Sequence, residues 1–377
     1  MDSKIKIIIA SLLKPIDDTR AFEKIGRSLA QTNKYDVNII GFESKKTPVE
    51  TNIFFQPIYN ANRNHLLRLF APLKLFRICY QVKPKLLIVN TPELLLVSYV
   101  NKIIFGTKII YDVMENYQMN LTSDTIYPKW QKPILHFYLR LVQGLSRYFV
   151  SHYFLAERIY AEQLTFLKKD SYTIIENKAI RARKHAPILE TGKSLKSRKE
   201  LSFIISGTLG KTYGTLAGIQ FFKAISHHLP NANLHIIGYS ADLTYKKTLI
   251  GICNSSKNIQ LTIAEHPIEH KLILDAIQEA DIALLPYEIN DNLRHRIPTK
   301  FYEYAASQLP LIIPENKPWL KFIDKYNAGI TVNFDQSVDY QLSQKIINTS
   351  YYKAANLFDI YWNTEEKKLL KVIDTLI

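Results

Sequence analysis

An α/β fold of two doubly wound domains is predicted by three features of the sequence. Short runs rich in Ile and Val alternate with longer stretches of helical period, the pattern of parallel sheets covered on both faces. These runs fall into two sets of about six, separated by a basic, non-periodic stretch at 181–200. The chain has 377 residues, which suits two domains of ~100–200 residues each.

In the first set, strands are predicted at Ile5–Ala10, Val37–Phe42, Leu86–Asn90, Lys108–Asp112, Tyr148–Val150 and Thr173–Glu176. In the second they are predicted at Leu201–Ser206, Leu234–Gly238, Ile259–Ile263, Ile282–Pro286, Leu311–Ile313 and Ile330–Val332. Helical period marks Thr19–Ala30, Gly214–His227 and Leu272–Ala280. The stretch 181–200 holds Pro187 and Gly192 and reads as an interdomain linker or a long exposed loop. The predicted boundaries are therefore a first domain at 1–180, a linker at 181–200 and a second domain at 201–354.

Apolar residues make up 47% and charged residues 22%, a balance that excludes general disorder. The longest apolar runs, Ile7–Leu13 and Leu94–Val100, fall far short of the ~20 residues that span a bilayer. The opening residues lack the pattern of a secretory signal. Cys79 and Cys253 stand far apart, so no disulfide framework and no cysteine metal site is expected. A reduced, cytoplasmic protein is the expectation.

The net charge is +15, and it is unevenly placed. Residues 1–200 hold 32 basic and 17 acidic residues, whereas 201–377 hold 17 of each. Such asymmetry points to a polyanionic partner, nucleic acid or an anionic membrane, or else to a merely solubilising surface. Arg63–Gln81 and Lys129–Phe149 each interleave bases with apolar and aromatic residues. A basic amphipathic helix can lie on an anionic membrane surface, or pack one face on its own sheet with the bases outward. No nucleic-acid-binding module is recognisable, so no nucleic-acid partner is expected.

Residues 286–314 carry the chemistry. A strand ends at Pro286, a polar loop follows, and a helix begins near Pro298-Thr299, where a proline's missing N–H does no harm. Lys300 then lies in the first turn with Glu303 three residues on, sharing its face. Ligands of open α/β sheets bind beyond the carboxyl ends of strands, and a helix N-terminus with a lysine suits a phosphate. A carboxylate one turn deeper can accept hydrogen bonds from sugar hydroxyls. The plain alternative is a surface Lys–Glu pair.

The segment Pro298–Ile312, PTKFYEYAASQLPLI, closely resembles the donor-site segment of family 4 glycosyltransferases of the GT-B fold. Weaker similarities follow in the family's order: Asp18–Lys24 with Ser28–Ala30 and Tyr35–Val37, Tyr111–Glu115, Ile174–Asn177, Ser206–Leu209, and Tyr361–Asn363. The resemblance implies two Rossmann-like domains facing each other across a cleft, with a C-terminal helix (355–377) crossing back to the first. It implies retaining, metal-independent transfer of a hexose from a UDP- or GDP-sugar, without a cofactor. With the basic first domain, it suggests a saccharide or lipid-linked saccharide acceptor at the inner membrane face, as in capsule, O-antigen or exopolysaccharide synthesis. Lys300 would hold the donor diphosphate and neutralise the leaving group, and Glu303 would bind the ribose. Gly207, Thr208, Lys211, Arg296, Thr299 and Phe301 would complete the donor site. Asp18, Arg20, Asp112 and Glu115 would face the acceptor. Lys211 and Glu115 join Lys300 as candidate catalytic groups, although Asp18 also reads as a helix cap.

The sequence departs from the family pattern at several points. His295 stands where the first of two acidic residues, eight apart, is usual; Thr208 replaces an arginine; Met114 replaces a histidine; and Leu12–Arg20 has no glycine. These departures motivate an alternative expectation, a non-catalytic scaffold that binds sugar nucleotide or glycan. No Asp-x-Asp, phosphate-binding P-loop, His-Glu-x-x-His or nucleophile-elbow motif occurs.

Overall fold

The computed structural model describes residues 4–44, 47–59, 70–123, 127–180 and 192–377. The chain divides into two compact units. Unit 1 comprises 1–177 and 362–377, and unit 2 comprises 178–361.

Unit 1 holds a seven-stranded, wholly parallel sheet. Its strands are β1 (Ile5–Pro15), β2 (Tyr35–Phe42), β3 (Ile53–Tyr59), β4 (Leu86–Val89), β5 (Lys108–Val113), β6 (His152–Leu155) and β7 (Tyr172–Ile174). They lie in the order β3-β2-β1-β4-β5-β6-β7. Both faces are buried, which explains the unbroken apolar runs. Ile8, Leu87 and Ile109 enter one core, while Ile7, Leu86 and Ile110 enter the core on the opposite face. The first core is closed by helices Ala71–Val82, Leu95–Phe105 and Gln131–Ser146. The second is closed by Thr19–Gly26, wound as a π-helix and running into Arg27–Gln31, and by the C-terminal helix Asn363–Leu376.

That last helix is fastened by Leu369 and Ile373, both fully buried. Trp362 donates its indole N–H to Ser28 Oγ at 2.9 Å. Buried Glu365 accepts from the Glu176 backbone N–H at 3.1 Å and from Lys368 at 2.8 Å.

Unit 2 repeats the design with six parallel strands: β8 (Leu201–Thr208), β9 (Ala232–Tyr239), β10 (Ile259–Ala264), β11 (Ile282–Leu284), β12 (Leu311–Ile313) and β13 (Gly329–Thr331). Their order, β10-β9-β8-β11-β12-β13, reverses direction between β8 and β11. Ligands of such sheets gather beyond the carboxyl ends at that reversal. Unit 1 has the same reversal between β1 and β4.

Three local expectations change. Strand β3, IFFQPIY, was not anticipated, because Pro57 and Gln56 interrupt its apolar pattern. It is an edge strand, where proline is tolerated. The strand predicted at Tyr148–Val150 is instead the turn that follows helix Gln131–Ser146: Val150 N–H donates to Ser146 O at 2.8 Å, and the strand begins at His152. Finally, 192–200 is not a free linker. Leu195 is buried in the core of unit 2 and Lys193 pairs with Tyr351; the rest of the expected linker, 181–191, lies outside the described residues. Residues 355–361 also count with unit 2, so only Trp362 onward packs on unit 1.

Candidate functional site

The strongest constellation lies in unit 2 at the carboxyl end of β8. The helix Thr299–Ala306 starts after Pro298, as its sequence predicts. Its apolar residues turn inward. Phe301, Tyr304 and Ala305 are fully buried, and the Phe301 ring packs against Trp319 and Phe322 at 5.2 and 5.4 Å between centroids. Lys300 lies one turn before Tyr304, about 40° round the helix from it, and so emerges beside the Tyr304 hydroxyl, while Glu303 steps away from the Phe301 side.

Lys300 reaches back to β8. Its ammonium donates to Ser206 Oγ at 3.4 Å, and that hydroxyl shares a 2.8 Å hydrogen bond with the Tyr304 hydroxyl. Gly207 makes room for the lysine. A Cβ on Gly207 would sit 1.9 Å from Lys300 Nζ, and its φ of +96° suits glycine alone. Gly238 on β9 is required for a related reason, since its Cβ would lie 1.8 Å from Gly207 O. Burial pushes the Lys300 ammonium down to about 8, against the opposing pull of the Glu303 carboxylate. Glu303 in turn lies 3.0 Å from His270 Nε2. A buried cation near a carboxylate–imidazole pair has the chemistry to receive an anion and hydroxyl groups.

Gly207→Ala is therefore expected to displace Lys300 and weaken diphosphate binding by ~10-fold or more, the loss of one charge-assisted hydrogen bond. Gly238→Ala meets backbone rather than a flexible side chain, so its expected effect is a lower melting temperature. Thermal melts with and without nucleoside diphosphate separate the two.

The remaining donor-site expectations divide. Thr208 ends β8 and Lys211 lies in the loop before helix Thr215–Ser226; Lys211 is exposed, and its carbonyl accepts from the Gly214 N–H at 2.8 Å. Arg296 and Thr299 are half-buried ahead of Lys300, and Arg296 O accepts from the Trp319 indole at 2.6 Å. Phe301 requires correction: at 0% exposure it anchors the helix and offers no surface to a ligand. His270 was not anticipated. It begins a separate helix, His270–Glu279, and no spacing in the sequence links it to Glu303.

A cavity of about 670 Å³ opens in the same unit beyond β11, β12 and β13. Pro286, Glu288, Glu315 and Asn333 are among its lining residues. The Glu288 N–H donates to Thr212 O at 3.1 Å, which ties this rim to the loop after β8.

In unit 1 the acceptor-side candidates meet different fates. Asp18 caps its helix, accepting from the Arg20 and Ala21 N–H groups at 3.0 Å. Arg20 and Asp112 form a buried, two-pronged ion pair at 2.8 and 2.6 Å, with side chains 1% and 3% exposed. Arg20 also donates to Ile175 O at 2.9 Å. The expected acceptor contacts of Arg20 and Asp112 thus give way to an internal brace. Glu115, at the carboxyl end of β5, stays partly exposed and accepts from Asn120 Nδ2 at 2.7 Å. Met114 is neighbour to Asn90, whose amide lies 3.4 Å from its sulfur.

Searches of protein-family models and of curated proteins find no match. Solved structures do match. The chain is similar to Anabaena HepE in complex with UDP-glucose, at 12% identity and TM-score 0.61, covering 98% of this chain and 100% of that one. It is similar to sucrose-phosphate synthase from Thermosynechococcus elongatus, at 11% identity and TM-score 0.69, covering 99% of each. It is also similar to the catalytic domain of starch synthase IV from Arabidopsis thaliana bound to ADP and acarbose, at 10% identity and TM-score 0.62, covering 100% and 99%. At such identities the likeness is one of fold. With its two parallel, doubly wound sheets, the chain has the fold of the GT-B glycosyltransferases.

Proposed function

We propose that this protein transfers a sugar, with retention, from a UDP- or GDP-sugar to a saccharide acceptor, lipid-linked and at the inner face of a membrane. The observation that carries the reading is Lys300, held against Gly207 at the carboxyl end of β8 with Glu303 one turn behind. When a sugar leaves a nucleoside diphosphate, negative charge builds on the diphosphate. A fixed cation there lowers the barrier. The Glu303–His270 pair offers an acceptor for ribose hydroxyls. Glu288 and Glu315 on the cavity wall offer carboxylates for the donor sugar, in place of the acid absent at His295. Similar structures bound to UDP-glucose or ADP support a nucleotide-sugar donor. Glu115 is the acceptor-side group that remains available to orient a hydroxyl.

A second reading, binding without turnover, is favoured by Met114, which puts a thioether hydrogen-bonded to Asn90 where a titratable ring would otherwise stand. The test is a thermal-shift screen against UDP, GDP, ADP, CMP and dTDP, with Glu303→Ala alongside. A ligand at 100 times its Kd stabilises by ~2.7 kcal/mol. One diphosphate raising the wild-type melt, and failing with Glu303→Ala, supports the donor pocket; slow hydrolysis of the matching nucleotide sugar then separates enzyme from scaffold. No shift with any nucleotide would sink the proposal.

A further inference from the structure

The helices that close one core of unit 1 show an unusual outer surface. Ala71–Val82, Leu95–Phe105 and Gln131–Ser146 lie on one face of the sheet, since Leu75, Cys79, Leu95 and Val142 share a single core with alternate strand residues. Aromatic contacts join them: Phe105 lies 6.3 Å from Phe76 and 6.0 Å from Tyr80, and Tyr99 lies 5.0 Å from Phe149, between centroids. Helices of a soluble domain present polar residues to water. Here fifteen of the twenty-one exposed large apolar side chains among the described residues fall between Phe70 and Tyr148. They include Leu73, Ile103, Trp130, Ile134, Phe137 and Tyr148, each more than 60% exposed. Such a concentration of exposed apolar side chains on one side of a sheet marks an interaction site.

Charge selects the occupant. The three helices contain Lys74, Arg77, Lys102, Lys132 and Arg140 and no acidic residue. Lys129 and Arg147 flank the last of them. A second copy would bring like charge against like charge. Nucleic acid would not reward exposed aliphatic side chains such as Ile103 and Ile134. An anionic bilayer satisfies both halves of the pattern, because apolar side chains enter the interface while bases meet headgroups. Among the described residues no helix is long and apolar enough to cross a membrane, so the contact is one of lying on the surface.

We propose that this three-helix face docks unit 1 on a bilayer of anionic phospholipid. The inference deepens the acceptor side of the proposed transfer and rests on that reading for its purpose. Helix Tyr117–Ser123, which follows Glu115, is tied to helix Gln131–Ser146 through Gln118 and Gln143 at 3.1 Å. The docked face would therefore set Glu115 near a lipid-linked acceptor. Vesicle binding is measured without sugar transfer, so either proposal can fail alone.

The test is cosedimentation of the full chain with vesicles of phosphatidylcholine, alone or mixed with phosphatidylglycerol. Binding is expected to the mixed vesicles and to weaken with salt. Trp130 is 70% exposed while Trp319 and Trp362 are buried, so a blue shift of tryptophan fluorescence reports insertion of this face. The variant Ile103→Ser/Trp130→Ser/Phe137→Ser, all at exposed positions, should bind at least ~10-fold more weakly. Leu243→Ser/Leu272→Ser, at exposed positions in unit 2, should bind as wild type. Mixed vesicles that fail to sediment the chain, or a triple variant that binds as wild type, would overturn the proposal. So would a dimer in sedimentation that the triple variant dissociates while vesicles are ignored.

Discussion

Lys300→Met is expected to weaken nucleoside diphosphate binding by ~10- to 100-fold, the worth of a hydrogen bond to a charged group, and yet to raise the melting temperature of the ligand-free protein. The two effects share one cause. Burial holds the ammonium at about 8, below its ordinary 10.5, so carrying the charge there opposes folding. Between those two values the unfolded chain binds more protons than the folded one, and stability rises with pH through that window. Below pH 8 the full penalty is present. The melting gap between Lys300→Met and wild type should therefore be widest below pH 8 and close by pH 10.5, with an upper bound of ~3 kcal/mol. A bound diphosphate needs the protonated lysine. Above pH 8, binding should take up a proton and weaken by up to ~10-fold per pH unit. Calorimetry at pH 9 in buffers of different ionisation enthalpy reads this uptake directly, and Lys300→Met should show none. A variant that binds diphosphate normally, or that melts lower than wild type below pH 8, would remove Lys300 from the site.

The parts of the fold that could be read from the sequence are those where one physical constraint acts alone. A strand buried on both faces must be apolar throughout, so β1, β4 and β8 declare themselves. Edge strand β3 is wet along one side and admits Pro57, which erases that signal. The apolar run at 148–150 misleads because Phe149 is buried beneath the helices while Tyr148 beside it is exposed. The site behaves alike. The placing of Lys300 and Glu303 on one helix was legible because helix geometry relates them within one turn. Phe301 was drawn in by adjacency along the chain, although one residue of rotation sends it into the core. His270 reaches Glu303 across 33 positions, a distance that no local pattern encodes. Arg20 and Asp112 were each noticed, but a pairing across 92 positions was not. What no spacing rule conveys is whether a polar side chain points to a ligand or to a partner already present.

That distinction makes the Arg20–Asp112 pair the place for the largest stability effect. Burial alone would push the Arg20 guanidinium down, and the Asp112 carboxylate beside it, together with Asp18 and Glu365, more than offsets this. Arg20→Met leaves a carboxylate 3% exposed with its cation gone, at a cost of ~3–5 kcal/mol. It also frees the Ile175 carbonyl, which Arg20 holds close to where the chain leaves unit 1. Asp112→Leu alone should cost as much from the other side. The double variant should recover most of the loss, because replacing a buried ion pair with apolar groups of similar volume is often neutral. The two units can melt separately, so the probe must belong to unit 1. In a Trp319→Phe background, the remaining tryptophans, Trp130 and Trp362, lie in unit 1, and buried Trp362 reports its unfolding. A large coupling energy across this cycle, the double variant losing far less than the sum of the singles, identifies a brace. An acceptor-binding pair would behave otherwise: each single variant would melt near wild type and lose turnover instead, and the double variant would recover nothing.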